Sequence, residues 1–322
     1  MRRFCAGTIL LAASLWPVFA SAATCAPPAT VASLDIHDDG LGGISVPVTI
    51  NGEPRRMHIW LGPHTSLANG LFDPSAIHSS VHPVDNIQTV IHSVTVHNLM
   101  IGSASADDIE VDVYPAQPKP DDTVGLLGTG ILANFDMELD FPAGKFNLYQ
   151  HEDCPGGGVQ WPWQAAIPFE LKTLHKLAFP MTLDGKPVTA TIDFNNFLDY
   201  VSFRSAASLF AIGADDPKIE TLSADRPATT ASFAALPPTL TLQRYRFGSL
   251  SSGDFVLHNP NTALFGKPDG PNCDGKTRND LGHGVTAICF GFGDISLGLM
   301  TLKTMKLYIA FKDQMIYLAG PK

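Results

Sequence analysis

The sequence predicts an all-β protein with short helices, folded as two pseudo-symmetric lobes with a cleft between them. Three observations predict it. The 322 residues include 25 Pro and 28 Gly and lack long charged helical runs, a balance that favours strands joined by turns. A hairpin segment occurs twice. A second block, led by a Leu-Gly turn, also occurs twice, in the same order.

The first repeat is Val46 to Trp60, VPVTINGEPRRMHIW, against Phe179 to Asp193, FPMTLDGKPVTATID. It aligns without a gap: Pro47 meets Pro180, Thr49 meets Thr182, Gly52 meets Gly185, Pro54 meets Pro187 and Ile59 meets Ile192. In each copy a short apolar strand enters Asn51-Gly52 or Asp184-Gly185. Those dipeptides suit a type I′ turn, in which both central residues need positive φ. Each copy is therefore expected to be a β-hairpin that delivers something at its end.

The second repeat is Leu127 to Leu148, LGTGILANFDMELDFPAGKFNL, against Leu297 to Leu318, LGLMTLKTMKLYIAFKDQMIYL. Leu127-Gly128 matches Leu297-Gly298, and Leu139 and Phe141 match Ile309 and Phe311. A Gly turn, a short helix and a hairpin of alternating burial are expected in each. This order places a first lobe over residues 23–150, a linker over 151–160 and a second lobe over 161–322. The Cys154-Pro-Gly-Gly-Gly run marks the linker.

The composition limits the class further. The chain is 45% hydrophobic and 16% charged, enough apolar content for a real core. Residues 1–22 read as a signal peptide. Arg2 and Arg3 precede the apolar run Ile9–Phe19, and Ala20-Ser21-Ala22 is a small-residue cleavage site. The apolar run is too short for a membrane span. An exported protein, periplasmic or extracellular, with no membrane attachment after signal removal is expected. Losing two of the 21 basic residues moves the formal charge from −10 to about −12. That acidic balance repels phosphate backbones, so no nucleic-acid partner is expected.

Cys5 leaves with the signal, and Cys25, Cys154, Cys273 and Cys289 remain. An even count in an exported chain predicts disulfides, with three pairings open. The sequence favours Cys25–Cys154, tying the N-terminal arm to the end of lobe one, and Cys273–Cys289, closing a Gly- and Asp-rich loop. No C-x-x-C spacing points to zinc.

The duplicated unit resembles the aspartic proteases, most closely the exported bacterial retropepsin-like and pepsin-like group. Its carriers are VPVTINGEP and FPMTLDGKP, VGLLGTGILANFDMELDFPAGKFNLY, and the echo SLGLMTLKTMKLYIAFKDQMIYL. The resemblance covers nearly the whole mature chain. It implies the pepsin/retropepsin-like acid-protease fold, with each first hairpin ending in Asp-Thr-Gly and a later apolar-apolar-Gly turn packed beneath. Catalysis in such a site needs two carboxylates sharing one proton, because like charges that close cannot both ionise.

At the matching positions lobe one has Trp60-Leu61-Gly62, and lobe two has Asp193-Phe194-Asn195. Asp193 is the sole retained dyad position. Its counterpart is Trp60, whose indole N–H could donate to Asp193 but cannot serve as an acid. Asn195 tolerates a left-handed backbone, so the turn is expected to persist.

Other candidates carry less. His64 comes just after the lobe-one motif and is either a replacement base or an exposed loop histidine, the latter favoured. His78 and His82 have i,i+4 spacing, which suits a metal only on a helix. His92 and His97 fall on opposite faces of a strand. His37 and His58 complete a histidine-rich lobe, read as surface histidines, and no metal or cofactor is expected. Asp73, Asp85 and Asp199 are read as turn or cap residues ahead of cleft carboxylates. Trp161 and Trp163 are expected to pack the linker onto lobe two ahead of lining a cleft. No G-x-S-x-G elbow, P-loop or dinucleotide fingerprint occurs.

The residues support two functional readings. The favoured one is a non-catalytic, aspartic-protease-like protein that grips an extended peptide or protein segment in the cleft by strand addition. The alternative is an aspartic-type peptidase of weak or altered activity relying on Asp193. Both lobes lie in one chain, so a monomer suffices to form the cleft.

Overall fold

The computed structural model describes residues 27–38, 43–84, 87–115, 123–151, 158–171, 177–225, 239–266, 278–280, 286–288 and 293–320. All five cysteines, the signal segment, Asp85 and Pro155 to Gly157 lie outside these residues, and the expectations placed on them with them.

Both copies of the first repeat are hairpins. Strand Ile44–Ile50 pairs with Glu53–Ile59, and Leu177–Leu183 pairs with Lys186–Ile192. The two-residue turns have positive φ throughout: 51° and 85° at Asn51-Gly52, 45° and 77° at Asp184-Gly185. This is the geometry whose twist matches that of the flanking strands.

Each hairpin continues into a sheet of its own. In an eight-stranded sheet, Glu53–Ile59 lies beside Thr123–Leu127, then Ser66–Ala68, then Ala104–Tyr114. In a ten-stranded sheet, Lys186–Ile192 lies beside Ile295–Leu297, then Asp199–Ser202, then Asn261–Phe265. The sense of pairing repeats as well. The hairpin strand runs parallel to the Leu-Gly strand in both, and the next strand runs antiparallel to it in both.

The second repeats form short helices, Thr129–Leu132 and Leu299–Leu302, after Gly128 and Gly298. Hairpins come next, at Asp136–Asp140 with Lys145–Tyr149 and at Lys306–Ala310 with Met315–Ala319. The two hairpins join in one six-stranded sheet, edged by Thr30–Asp35 and Ala165–Pro168.

At the join, Met137 faces Ile309, Glu138 faces Tyr308 and Leu139 faces Leu307. Glu138 and Tyr308 are equivalent residues of the two repeats, so the pseudo-twofold axis passes between them. One face of this sheet carries Met137, Leu139, Phe146, Leu148, Leu307, Ile309, Ile316 and Leu318, all buried in the main core.

The opposite face is polar and still buried, with Asp136, Glu138 and Asp140 in alternation. Burial of charge is costly unless it is paired, and each carboxylate is. Lys306 pairs with Asp140 across the join. The Tyr308 hydroxyl donates to Asp136 at 3.2 Å. The Trp161 indole N–H donates to Glu138 at 2.7 Å. Trp163 stands edge-on to Tyr317, centroids 5.7 Å apart. The tryptophan pair therefore spans the join: Trp163 packs on the second repeat as expected, while Trp161 reaches back to the first.

Candidate functional site

The site is built from two loops that leave the first hairpins. Their anchoring is the same in both halves. The N–H of Trp60 donates to Leu127 O at 3.0 Å, and the N–H of Asp193 donates to Leu297 O at 2.9 Å. These bonds extend the parallel ladders Ile59–Leu127 and Ile192–Leu297 by one step. Trp60 and Asp193 therefore occupy equivalent backbone positions, as the ungapped repeat predicts.

Beyond that point the ungapped correspondence fails. Thr129 N–H donates to Gly62 O, and its counterpart Leu299 N–H donates to Asn196 O, both at 2.8 Å. Gly62 is thus the equivalent of Asn196 rather than of Asn195. The lobe-two loop has one extra residue before it rejoins the frame. The hairpins fix the start of each loop and the Gly turns fix its end, so an insertion between them leaves both anchors in place.

The extra residue is taken up by the Asp193 side chain. Its Oδ1 accepts the Asn195 N–H at 2.9 Å, and its Oδ2 accepts the Asn196 side-chain amide at 2.6 Å. This is an Asx turn, in which a short acidic side chain mimics one step of backbone. Both donors suit an ionised carboxylate, which only accepts.

In lobe one, a Cβ at Gly62 would collide with the six-membered ring of Trp60. The indole is folded over its own loop, and glycine makes room for it. Leu61 and Phe194 replace the hydroxyl-bearing residue of the family motif, and both point into the core, at 5% and 1% exposure. Phe194 reaches Phe141 of the first half, with ring centroids 6.4 Å apart. At these two places the chain has apolar plugs.

The Leu-Gly turns pack beneath, again with different chemistry in each half. Gly128 N–H donates to the Thr65 hydroxyl at 3.1 Å. Gly298 N–H donates to Asp199 Oδ1 at 2.7 Å, and the Thr301 hydroxyl donates to Asp199 Oδ2 at 2.5 Å. Asp199 has no exposure to solvent. Burial raises its pKa to about 6, against the lowering effect of the Thr301 and Gly298 donors. It ties the turn together from the buried start of strand Asp199–Ser202, where sequence favoured a local turn or cap residue. Next to it, the Tyr200 hydroxyl is pushed above its ordinary value, first by burial and then by the charge of Asp193.

The remaining candidates disperse. His64 points to Asp112, Nδ1 to Oδ2 at 3.2 Å, in a half-exposed surface pair. The stretch holding His78 and His82 is a strand, His78–Val84, and not the helix a metal pair would need. His92 meets the Ser79 hydroxyl at 2.9 Å, while His97 meets Asp108 at 2.7 Å. His58 is an exception to the surface reading: it is buried, with Nδ1 3.3 Å from Ile44 O. Asp73 caps the short helical turn Pro74–Ala76 through Ser75. Among the described residues no group of three or more His, Cys, Asp or Glu is placed to hold a metal ion.

Sequence reasoning missed Asn196 and Tyr200. No local signal marked the former, because the extra residue shows only through the hydrogen bonds that make Asp199 the counterpart of Thr65.

The crystal structure of Basic 7S globulin from soybean aligns with this chain at a TM-score of 0.50 and 8% identity, over 91% of this chain and 95% of that one. The fold is pepsin-like. Conglutin gamma, a basic 7S globulin from lupine seeds, aligns at a TM-score of 0.46 and 10% identity, over 90% of this chain and 95% of that one. The crystal structure of edgp aligns at 0.46 and 8%, over 91% and 95%. No protein-family model matches the chain, and no curated protein sequence is similar to it. Within the pepsin-like frame, the two loops after the first hairpins carry one carboxylate and one indole at equivalent positions.

Proposed function

We propose that this chain is an exported, non-catalytic pepsin-fold protein that binds an extended peptide or protein segment in its interlobe cleft. One observation carries the reading: Trp60 holds the backbone position equivalent to Asp193. Acid-protease chemistry needs one carboxylate to activate water and a second, protonated, to polarise the carbonyl. An indole supplies neither function. Asp193 is, in addition, engaged in capping its own loop through Asn195 and Asn196.

Export rests on residues 1–22, with their basic start, apolar run and Ala-Ser-Ala site. A leader of that form fits a periplasmic or extracellular setting. Strand addition is the binding mode that a cleft between two sheets favours, since main-chain hydrogen bonds supply affinity and alternate side chains supply choice.

The test is a peptide library incubated with the purified protein from acidic to neutral pH, beside Asp193→Ala. The expected result is no cleavage by either form, with saturable binding of a subset of peptides that quenches or shifts Trp60 fluorescence. Cleavage by the wild type that disappears in Asp193→Ala would overturn this reading and install the weak-peptidase alternative.

A further inference from the structure

A second feature lies away from the two loops, at the end of the ten-stranded sheet. Arg244 and Arg246 are two apart on strand Thr239–Arg246 and so share a face. With Tyr245, Phe247 and Asn261 they line a cavity of about 250 Å³. Phe247 is buried, tilted against Tyr245 and edge-on to Phe210, with centroids 4.9 and 5.1 Å away.

One carboxylate serves both arginines. Glu220 Oε2 lies 3.3 Å from Arg244 Nε, and its Oε1 accepts Arg246 Nε at 3.0 Å. Arg246 Nη2 adds a bond to Oε2 at 3.4 Å. Each guanidinium offers five N–H donors in a rigid fork, and Glu220 engages a minority of them. Two cations against one anion leave a local positive excess in a chain whose formal charge is −10. Charge complementarity thus favours an anion here. Planar forks match carboxylates through paired N–H bonds. The small volume falls below the roughly 300–1,000 Å³ of drug-sized sites.

We infer that this cavity is a binding site for a small organic carboxylate, held by paired N–H bonds from Arg244 and Arg246 beside Asn261, the residue paired with Arg246 across the sheet. The bound carboxylate competes with Glu220 for the guanidinium donors.

The experiment titrates the full mature chain with benzoate and with its neutral counterpart benzamide, following the Arg244 and Arg246 side-chain Nε–H groups by NMR. Saturable shifts with benzoate and none with benzamide are expected, weakened by about tenfold or more in Arg244→Gln, as loss of charge-assisted hydrogen bonds implies. A hydrophobic tripeptide with a free C-terminus, beside its C-terminal amide, separates the two sources of such a group. Tighter binding than benzoate assigns the site to a peptide end, and weaker or equal binding assigns it to a free acid. If Arg244→Gln does not fold, Glu220→Gln decides, because removing the competing carboxylate should tighten benzoate binding. No saturable shift in the wild type, equal binding of benzamide, undiminished affinity in Arg244→Gln, or no gain in Glu220→Gln would each overturn the inference. None of these readouts depends on peptide binding or cleavage in the interlobe cleft.

Discussion

Asp199 Oδ1 accepts the backbone N–H of Gly298 at 2.7 Å from a side chain with no exposure to solvent. The buried carboxylate and the buried turn fix each other, and the pH dependence of that arrangement has a definite sign. Burial lifts the folded pKa from the ordinary 3.8 to about 6. The folded state therefore binds the proton more tightly than the unfolded one. Its stabilising effect is complete below the ordinary carboxylate pKa and is lost as pH rises through about 6. The difference is on the order of 3 kcal/mol. Relative to the wild type, Asp199→Asn should gain about that much stability between acidic and neutral pH, measured by urea unfolding at each pH. A difference between the two proteins that does not vary with pH would refute this.

The glycines of the two loop systems should respond differently to alanine. At Gly128 a Cβ would collide with the backbone carbonyl of His64, and at Gly298 with that of Leu198. Neither carbonyl can move without breaking its loop, so both substitutions should cost about 1–3 kcal/mol or more by overpacking. At Gly62 the collision is with the Trp60 ring, the far end of a side chain. Gly62→Ala should shift Trp60 emission while costing less stability. Thermal unfolding and fluorescence on the three variants check the contrast.

Phe194 is buried among core residues and packs against Phe141 from the other half. Phe194→Ala should cost about 3–5 kcal/mol in chemical denaturation, the range for removing a buried aromatic side chain. Phe194→Thr, which restores the hydroxyl of the family motif, should also destabilise, because nothing in the apolar surroundings has been built to receive it. A Phe194→Thr protein as stable as the wild type would show a polar brace still latent in the loop.

Restoring a carboxylate to lobe one should not restore hydrolysis. Trp60→Asp would place an acid at the position equivalent to Asp193, but Asp193 remains in its Asx turn and the lobe-two loop remains one residue longer. The expected outcome is no peptide cleavage at acidic pH by Trp60→Asp alone, checked with a quenched-fluorescence peptide library. Cleavage by this single variant would mean that the lobe-two loop is already in catalytic geometry.

Trp161 is the indole donor to the buried Glu138. Trp161→Phe keeps the ring and deletes the N–H, leaving the Asn147 amide at 2.8 Å as a donor to the same carboxylate. An under-satisfied buried acceptor should cost about 1–3 kcal/mol, read as a lower denaturation midpoint that Trp161→Leu does not exceed by much.

What the sequence by itself determined is the repeated architecture. Turn dipeptides and alternating burial are local signals. Asn51-Gly52 and Asp184-Gly185 therefore announce hairpins, and Leu127-Gly128 and Leu297-Gly298 announce the short helices and closing hairpins beyond them. The equivalence of Trp60 and Asp193 was legible for the same reason, because an ungapped hairpin fixes the residue at its end. The edge strands Thr30–Asp35 and Ala165–Pro168 were not legible, since each is defined by a distant partner. Tertiary structure alone decided that Gly62 corresponds to Asn196, because the match is set by hydrogen bonds from Thr129 and Leu299, far along the chain. It also decided that Trp161 ties the two halves together and that Arg244 and Arg246 share one carboxylate. Local sequence carries backbone preference, but which groups meet across a sheet depends on register and packing, and these exist only once the chain has closed on itself.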